Sequence, residues 1–195
     1  MARIPPLTAE ELAARDIDLS FIGDDFHELP NSVPTLAYRP DILRAAGTLW
    51  ATIMGPGTVD PGLKWLVGFM TSMAAGCRYC SAHTGTGANG NHVAPEKLAA
   101  IWDFEHSPLF AEPERAALRV AMGAGHTPNA VSDADFAALA GHFSREQQVE
   151  IVSVIALYGF FNRWNDTIGT TLEPTPRQFA EMHLTTPGWE IGKHG

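Results

Sequence analysis

The two cysteines of the chain stand in one short motif, Cys77-Arg78-Tyr79-Cys80, and a histidine follows at His83. Residues three apart on a helix share a face, so Cys77, Cys80 and His83 would form one stripe. Neighbouring thiols can cycle between dithiol and disulfide, and an imidazole one turn away can accept or deliver a proton. The motif therefore predicts redox chemistry at a dithiol.

The spacing also favours one thiol as the nucleophile. Ala75-Gly76 is a place where a helix can break and restart, which would put Cys77 in a first turn. There the helix dipole favours a thiolate by roughly 0.3–1 kcal/mol, whereas a positioned base contributes roughly 10²–10⁴-fold in rate. His83 is one turn from Cys80 and two from Cys77, so we expect Cys80 to attack and Cys77 to be its partner.

Two other uses of these residues stay open. A zinc site would take Cys77, Cys80, His83 and His92, but this spacing is not that of a common zinc module. Buried thiols can also pack as small apolar groups without chemistry. A thioredoxin-type site needs a preceding strand, which the sequence does not predict. We expect no bound metal and no cofactor.

The apolar pattern is helical almost throughout, without convincing strand alternation, and predicts an all-α fold. Residues 1–60 would form a helical extension, 61–170 the helical core and 171–195 a tail, in one compact unit. Residues 16–40 are predicted to be an irregular connection, and residues after Leu172 have no strong period. The predicted helices span residues 8–15, 40–54, 61–84, 95–104, 113–123, a segment from Ser132, and 145–166.

A weak internal repeat places Cys77-Arg78-Tyr79-Cys80 over Asn162-Arg163-Trp164-Asn165. It predicts two pseudo-repeated halves around a pseudo-dyad, with residues 162–166 near the cysteines. The alternative is a chance alignment of two buried helices, with the 162–166 residues capping a helix or contacting another subunit. The repeat also sets Trp65 opposite Glu150. The candidate pocket or relay residues are therefore Tyr79, Glu150, Asn162, Trp164 and Asp166.

Composition excludes several classes of protein. The formal net charge is −9 and no Lys/Arg-rich run occurs, which argues against a nucleic-acid partner. The sequence contains no run of about 18 apolar residues, so no membrane span is predicted. A secreted disulfide scaffold would need more cysteines, and no apolar signal region follows Arg3. We expect a cytoplasmic protein.

Two segments resemble a known family. Leu63-Lys64-Trp65 followed by residues 75–84 resembles the core motif of the alkylhydroperoxidase D-like, or carboxymuconolactone decarboxylase-like, proteins with a CxxCxxH motif. Residues 160–166 resemble a second landmark of one subgroup. The resemblance implies an alkylhydroperoxidase D-like helical bundle that forms homo-oligomers, commonly trimers or hexamers. It also implies reduction of hydroperoxides by Cys80, with Cys77 as the resolving thiol, His83 in the proton relay and an external dithiol as reductant.

One departure from the family pattern bears on activity. The best-studied members have a relay glutamate twelve residues before the first cysteine, where this chain has Trp65, which cannot transfer a proton. Glu150 is a candidate substitute, and we expect slow peroxidase turnover. The alternatives are a non-redox decarboxylase or lactone-processing enzyme, which generally lacks the CxxC, and a redox-sensing helical oligomer with little catalysis.

Overall fold

The computed structural model describes residues 2–15, 17, 19 and 28–195, and over these ranges it contains helices and no strand. The prediction of an all-α fold is confirmed. The α-helices of the described ranges are α1 (Ala9–Ala13), α2 (Ser32–Leu36), α3 (Pro40–Met54), α4 (Pro61–Ala74), α5 (Arg78–Gly90), α6 (Pro95–Ala99), α7 (Glu112–Gly125), α8 (Asp133–His142), α9 (Arg145–Ile168) and α10 (Pro174–His183). Short 3₁₀ turns cover Ile101–Asp103 and Gly192–His194.

Three helices begin where a capping pattern in the sequence predicts it. Thr8, Ser132 and Ser144 each accept a backbone N–H three residues on, and the side chain at that position bonds back to the cap. These reciprocal bonds satisfy N–H groups that the first turn of a helix leaves open. Short-range chemistry thus fixes the starts of α1, α8 and α9.

The core is built around α4, which packs against α5, α7 and α9. Its side chains are buried on nearly every side, as its continuous apolar sequence predicts. Leu66, Val67, Phe69 and Met70 are fully enclosed. Helix α4 is therefore the element against which the motif-bearing helix α5 is positioned.

The predicted helix over residues 61–84 consists of two helices. Helix α4 ends at Ala74, and Gly76 adopts a left-handed φ of 73°, which glycine tolerates without cost from a side chain. Helix α5 then continues to Gly90, so the prediction that it ends near Thr84 was wrong. Gly87 serves packing instead, because a Cβ there would lie 2.4 Å from the Trp65 ring.

Two segments without a clear period are partly helical. Helix α2 lies inside the predicted irregular connection 16–40, of which residues 16, 18 and 20–27 lie outside the described ranges. Residues after Leu172 form α10, which packs against α5. Among the described helices, none has the length and apolar character that a bilayer crossing requires.

Candidate active site

The two cysteines lie at the junction of α4 and α5. Cys77 is the N-cap of α5, and its Sγ accepts the backbone N–H of Cys80 at 3.4 Å. Both thiols are free and buried. Gly76, with its left-handed φ of 73°, lies in the short connection between the two helices. The break at Ala75-Gly76 that the sequence suggested is thus what places Cys77 at a helix N-terminus.

Cys80 lines an apolar cavity of about 80 Å³ between α2, α3, α4, α5 and α9. Cys77 is not among the lining residues. The walls are mostly aromatic and aliphatic, and the polar groups that reach the cavity include Cys80, His83 and Asn165. The aromatic walls are formed by Trp50, Trp65, Tyr79, Tyr158 and Phe161.

A buried carboxylate, Glu173, contacts the histidine of the motif. Its Oε2 lies 2.7 Å from Nε2 of His83, and the Tyr79 hydroxyl donates to its Oε1 at 2.7 Å. The backbone N–H of Asn31 also donates to Oε1. Burial raises the pKa of Glu173, but the bonds from His83, Asn31 and Tyr79 outweigh burial and hold that pKa below its ordinary value. Glu173 is therefore an ionised group that orients His83.

Sequence reasoning missed Glu173 because it lies in the segment predicted to be an aperiodic tail. The one local signal is the pair Glu173-Pro174, which is typical of a helix start. Proline is common in the first turn of a helix, and an acid there complements the helix dipole. That signal identifies a helix start. It does not indicate that the carboxylate contacts His83, ninety residues away.

Glu150, the candidate substitute for the relay acid, lies elsewhere. It forms an ion pair with Lys64, whose side chain is only 2% exposed, and accepts bonds from Thr58 and the Val59 N–H. Burial raises the pKa of Glu150, but Lys64 and Thr58 outweigh it, and the pKa is lowered. Glu150 does not line the cavity. In the part of the chain that the structure describes, the acid that contacts His83 is Glu173.

Trp65, at the position of the family's relay glutamate, forms part of the cavity wall. It is buried, and its ring centroid lies 6.3 Å from that of Trp50 and 6.4 Å from that of Tyr158. Tyr79, a predicted pocket residue, also lines the cavity and bonds Glu173. An indole thus makes the site more apolar at the point where the resemblance implies an acid.

The structure places residues 162–166 beside the cysteines, as the alignment of the two tetrads predicts. Asn165, which that alignment sets over Cys80, donates from Nδ2 to the Cys80 Sγ at 3.5 Å. Asp166 approaches the other thiol, with its carboxylate within 4.8 Å of the Cys77 Sγ. Asn162 is buried. Trp164 packs against a small apolar cluster formed by Leu7, Val33, Leu36, Ala37 and Leu43. Neither Asn162 nor Trp164 lines the cavity. The sequence predicts the segment, but Asn165 was not among the predicted site residues.

The environment of Cys80 favours its neutral form. Burial raises the pKa of the Cys80 thiol well above its ordinary value, the Cys77 side chain adds to this, and the Asn165 bond opposes it. Burial likewise raises the pKa of Tyr79, with the Glu173 carboxylate adding to it. Cys80 therefore needs a base to react at neutral pH, and among the described residues His83 is the histidine that shares its cavity.

The alternative zinc ligands are not brought together. His92 lies exposed beyond the end of α5 with a φ of 67°, and His83 is bonded to Glu173. Within the ranges that the structure describes, the three-residue group with ligand atoms in mutual reach is Cys77, Asp166 and His194. His194 was not a predicted site residue.

The chain is similar in sequence to known proteins. The sequence profile of the carboxymuconolactone decarboxylase family matches residues 40–122. The uncharacterized protein YnjA of Escherichia coli (strain K12) is 32% identical over 110 residues, which are 56% of this chain and 60% of that protein.

Two solved structures are similar over nearly their whole length. A cysteine-to-alanine variant of the debrominase Bmp8, in complex with 2,3,4-tribromopyrrole, has 31% identity and a TM-score of 0.85, covering 92% of this chain and 96% of that one. An uncharacterized peroxidase-related protein from Ralstonia eutropha JMP134, described as an alkylhydroperoxidase AhpD core, has 27% identity and a TM-score of 0.71, covering 91% and 95%. The chain therefore belongs to the carboxymuconolactone decarboxylase family and has its alkylhydroperoxidase D-like helical fold.

Proposed function

We propose that this protein is a thiol-dependent peroxidase that reduces small organic hydroperoxides through the Cys77–Cys80 pair. The observation that supports it most is the asymmetry of the two thiols. Cys80 lines the cavity together with His83, which Glu173 orients, whereas Cys77 lies outside the cavity lining. This asymmetry supports Cys80 as the thiol that reacts with the substrate and Cys77 as the resolving thiol.

In the first step the Cys80 thiol gives its proton to His83, and the thiolate sulfur attacks the terminal oxygen of the hydroperoxide. The O–O bond breaks, Cys80 becomes a sulfenic acid, and His83 returns the proton to the departing alkoxide, which leaves as an alcohol. Glu173 stabilises the transient imidazolium by its bond to Nε2. A carboxylate that holds the ring in this way supports the relay even though Trp65 replaces the family's glutamate.

In the second step the Cys77 sulfur attacks the Cys80 sulfur, and a disulfide and water form. An external dithiol then reduces the disulfide by exchange and regains the two thiols. The cavity favours an apolar substrate, because its walls are mostly aromatic and aliphatic. We therefore expect an organic hydroperoxide to react faster than hydrogen peroxide.

A second candidate is reductive dehalogenation of a small halogenated aromatic compound. It is supported by the aromatic cavity walls and by similarity to a debrominase solved with 2,3,4-tribromopyrrole. Here the Cys80 thiolate would take the halogen from carbon, the ring carbon would take a proton, and Cys77 would displace halide to form the same disulfide. Both reactions consume two thiols, so they differ in substrate and product.

The test is a single-turnover reaction of the fully reduced protein, without added reductant and without oxygen. One sample receives cumene hydroperoxide and the other 2,3,4-tribromopyrrole, and thiols, cumyl alcohol and bromide are counted. The proposal predicts two thiols lost per cumyl alcohol formed, with an intramolecular disulfide by mass spectrometry. Bromide release with no reaction of the hydroperoxide would favour the second candidate. No thiol loss with either compound would contradict both proposed reactions. It is the result expected of a non-redox decarboxylase.

A further inference from the structure

We propose that His194, supported by Asp166, is the proton acceptor for Cys77, so that each thiol of the motif has its own histidine and carboxylate. The inference rests on the proposed dithiol cycle and extends it to the resolving step. His83 and Glu173 serve Cys80 on the cavity side. His194 and Asp166 lie beside Cys77, with the Cys77 Sγ, one ring nitrogen of His194 and a carboxylate oxygen of Asp166 all within 4.8 Å of one another.

The position of His194 is fixed by several bonds of the final segment, residues 171–195. Trp189 donates from its indole to the Arg78 carbonyl at 2.9 Å, and the Leu172 N–H donates to the His194 carbonyl at 2.8 Å. The His194 side chain is 0% exposed. This segment is thus fastened to the start of α5, where Cys77 caps the helix.

The hydrogen bonds of the ring identify its free nitrogen. Nδ1 of His194 lies 2.7 Å from the Thr170 carbonyl oxygen. A carbonyl only accepts, so Nδ1 bears the proton and, in the neutral ring, Nε2 has an open lone pair. Nε2 is buried, has no hydrogen-bond partner in the described ranges, and lies 3.7 Å from Oδ1 of Asp166. Two proton acceptors therefore face each other beside a thiol, which is a proton donor.

The surroundings keep the imidazole available as a base. The titratable groups around it are Cys77, Asp166 of α9, the adjacent Lys193, and Tyr79 of α5, whose ring centroid lies 5.9 Å away. Burial lowers the pKa of His194, and the Thr170 and Asp166 contacts oppose this only in part. The neutral ring thus persists to lower pH than for an ordinary histidine. Asp166, bonded to Lys193 at 2.7 Å, would stabilise the imidazolium formed when Cys77 loses its proton.

In the resolving step His194 acts as the base for Cys77. The Cys77 proton passes to Nε2 of His194 while the Cys77 sulfur attacks the sulfenic sulfur of Cys80. The S–S bond forms, the S–O bond breaks, and hydroxide leaves and takes a proton from solvent to become water. His194 returns its proton to solvent. Cys77 is oxidised and the Cys80 sulfenic acid is reduced, so no further reactant is needed.

The test separates the two steps by stopped flow with cumene hydroperoxide. In His194→Asn we expect sulfenic acid on Cys80 to form at the wild-type rate, and the disulfide to form about 100-fold or more slowly, so that dimedone traps the intermediate. Asp166→Asn, a milder change at a half-buried site, should slow the disulfide step about 10-fold. Because the Asp166 charge also helps to raise the pKa of the Cys80 thiol, the first step should be no slower than in the wild type. His106→Asn, at a side chain 86% exposed, is the matched control and should change neither step.

The pH profile distinguishes a proton acceptor from a packing residue. In the wild type the disulfide step should stay constant as the pH falls through the ordinary histidine range and decline only below it. In His194→Asn this plateau should be absent. Equal rates of disulfide formation in wild type and His194→Asn, or an equal loss in both steps, would overturn the inference. One equivalent of Zn²⁺ retained by the wild type and lost by His194→Asn would also overturn it, since the cluster would then be a metal site.

A failure of the proposed function is recognised separately. If the wild type forms no sulfenic acid with any hydroperoxide, the peroxidase proposal fails, and the inference is tested on Cys80→Ser, in which Cys77 is the remaining thiol. Its reaction with methyl methanethiolsulfonate should then slow about 10-fold or more when His194→Asn is added. An unchanged rate would overturn the role of His194.

Discussion

Glu173→Gln removes one charge from the site and changes its shape little. The carboxylate is 3% exposed and accepts bonds from His83, Tyr79 and the Asn31 N–H. A hydrogen bond to a charged group contributes roughly 1.5–3 kcal/mol, and a neutral one about 1 kcal/mol. Loss of charge assistance in the bonds from His83 and Tyr79 should therefore lower the free energy of unfolding by about 1–4 kcal/mol at pH 7.

The same substitution should slow the reaction of Cys80. Losing about 1–2 kcal/mol of stabilisation of the His83 imidazolium corresponds to a rate of sulfenic acid formation lower by roughly 5–30-fold. The assay is stopped flow with cumene hydroperoxide at pH 7. Glu181→Gln, which breaks an exposed ion pair with Arg177 on the same helix α10, is the control and should change stability by less than about 1 kcal/mol.

The loss of stability in Glu173→Gln should depend on pH. The pKa of Glu173 in the folded protein lies below its ordinary value. Its stabilising effect is therefore complete above the ordinary carboxyl range and is lost as the pH falls through the folded pKa. Urea unfolding should show a large difference between wild type and Glu173→Gln at neutral pH and a shrinking difference in acid. A difference that stays constant with pH, or an unchanged rate with hydroperoxide, would refute the role of Glu173.

Three further outcomes follow from the structure. Because burial raises the pKa of the Cys80 thiol, the rate of its oxidation should rise between about pH 7 and about pH 9 as the thiolate fraction grows; a rate that falls over this range in stopped flow would contradict this. Glu150→Ala should leave Lys64 buried without its ion-pair partner and lower the free energy of unfolding in urea by about 3–5 kcal/mol. Hydroperoxide reduction by the folded protein should be unchanged. Lost activity at full stability would restore Glu150 as a relay residue. Exposed apolar side chains on α9, with Val149 66% exposed, favour burial between subunits, so sedimentation should give a trimer or hexamer, and a monomer at micromolar concentration would count against it.

The features that local chemistry determines could be predicted from the sequence. The caps at Thr8, Ser132 and Ser144 each depend on residues three positions apart, and the helical periods follow from side chains within a few turns. The dithiol with His83 was found for the same reason. The break of the long helix at Ala75-Gly76 was visible as a weak point, but its consequence, Cys77 as an N-cap, needed the structure.

Glu173 and His194 could not be predicted, because tertiary packing positions them. Glu173 and His194 come from a segment with little periodicity and reach the motif only because α10 and the residues after it pack on α5. Asp166 was named from the pseudo-repeat, yet its histidine partner lies 28 positions away. Glycines in α5 misled the prediction of its end, since Gly87 makes room for Trp65 and does not end the helix.

The division of labour between the two thiols is tested most directly by trapping the oxidised cysteine. Cys77→Ser and Cys80→Ser proteins are each treated with one equivalent of cumene hydroperoxide in the presence of dimedone, and the modified residue is identified by mass spectrometry. We expect Cys77→Ser to react once and form a dimedone adduct on Cys80, while Cys80→Ser forms none. An adduct on Cys77 in Cys80→Ser, with none on Cys80 in Cys77→Ser, would contradict the assignment of Cys80 as the attacking thiol.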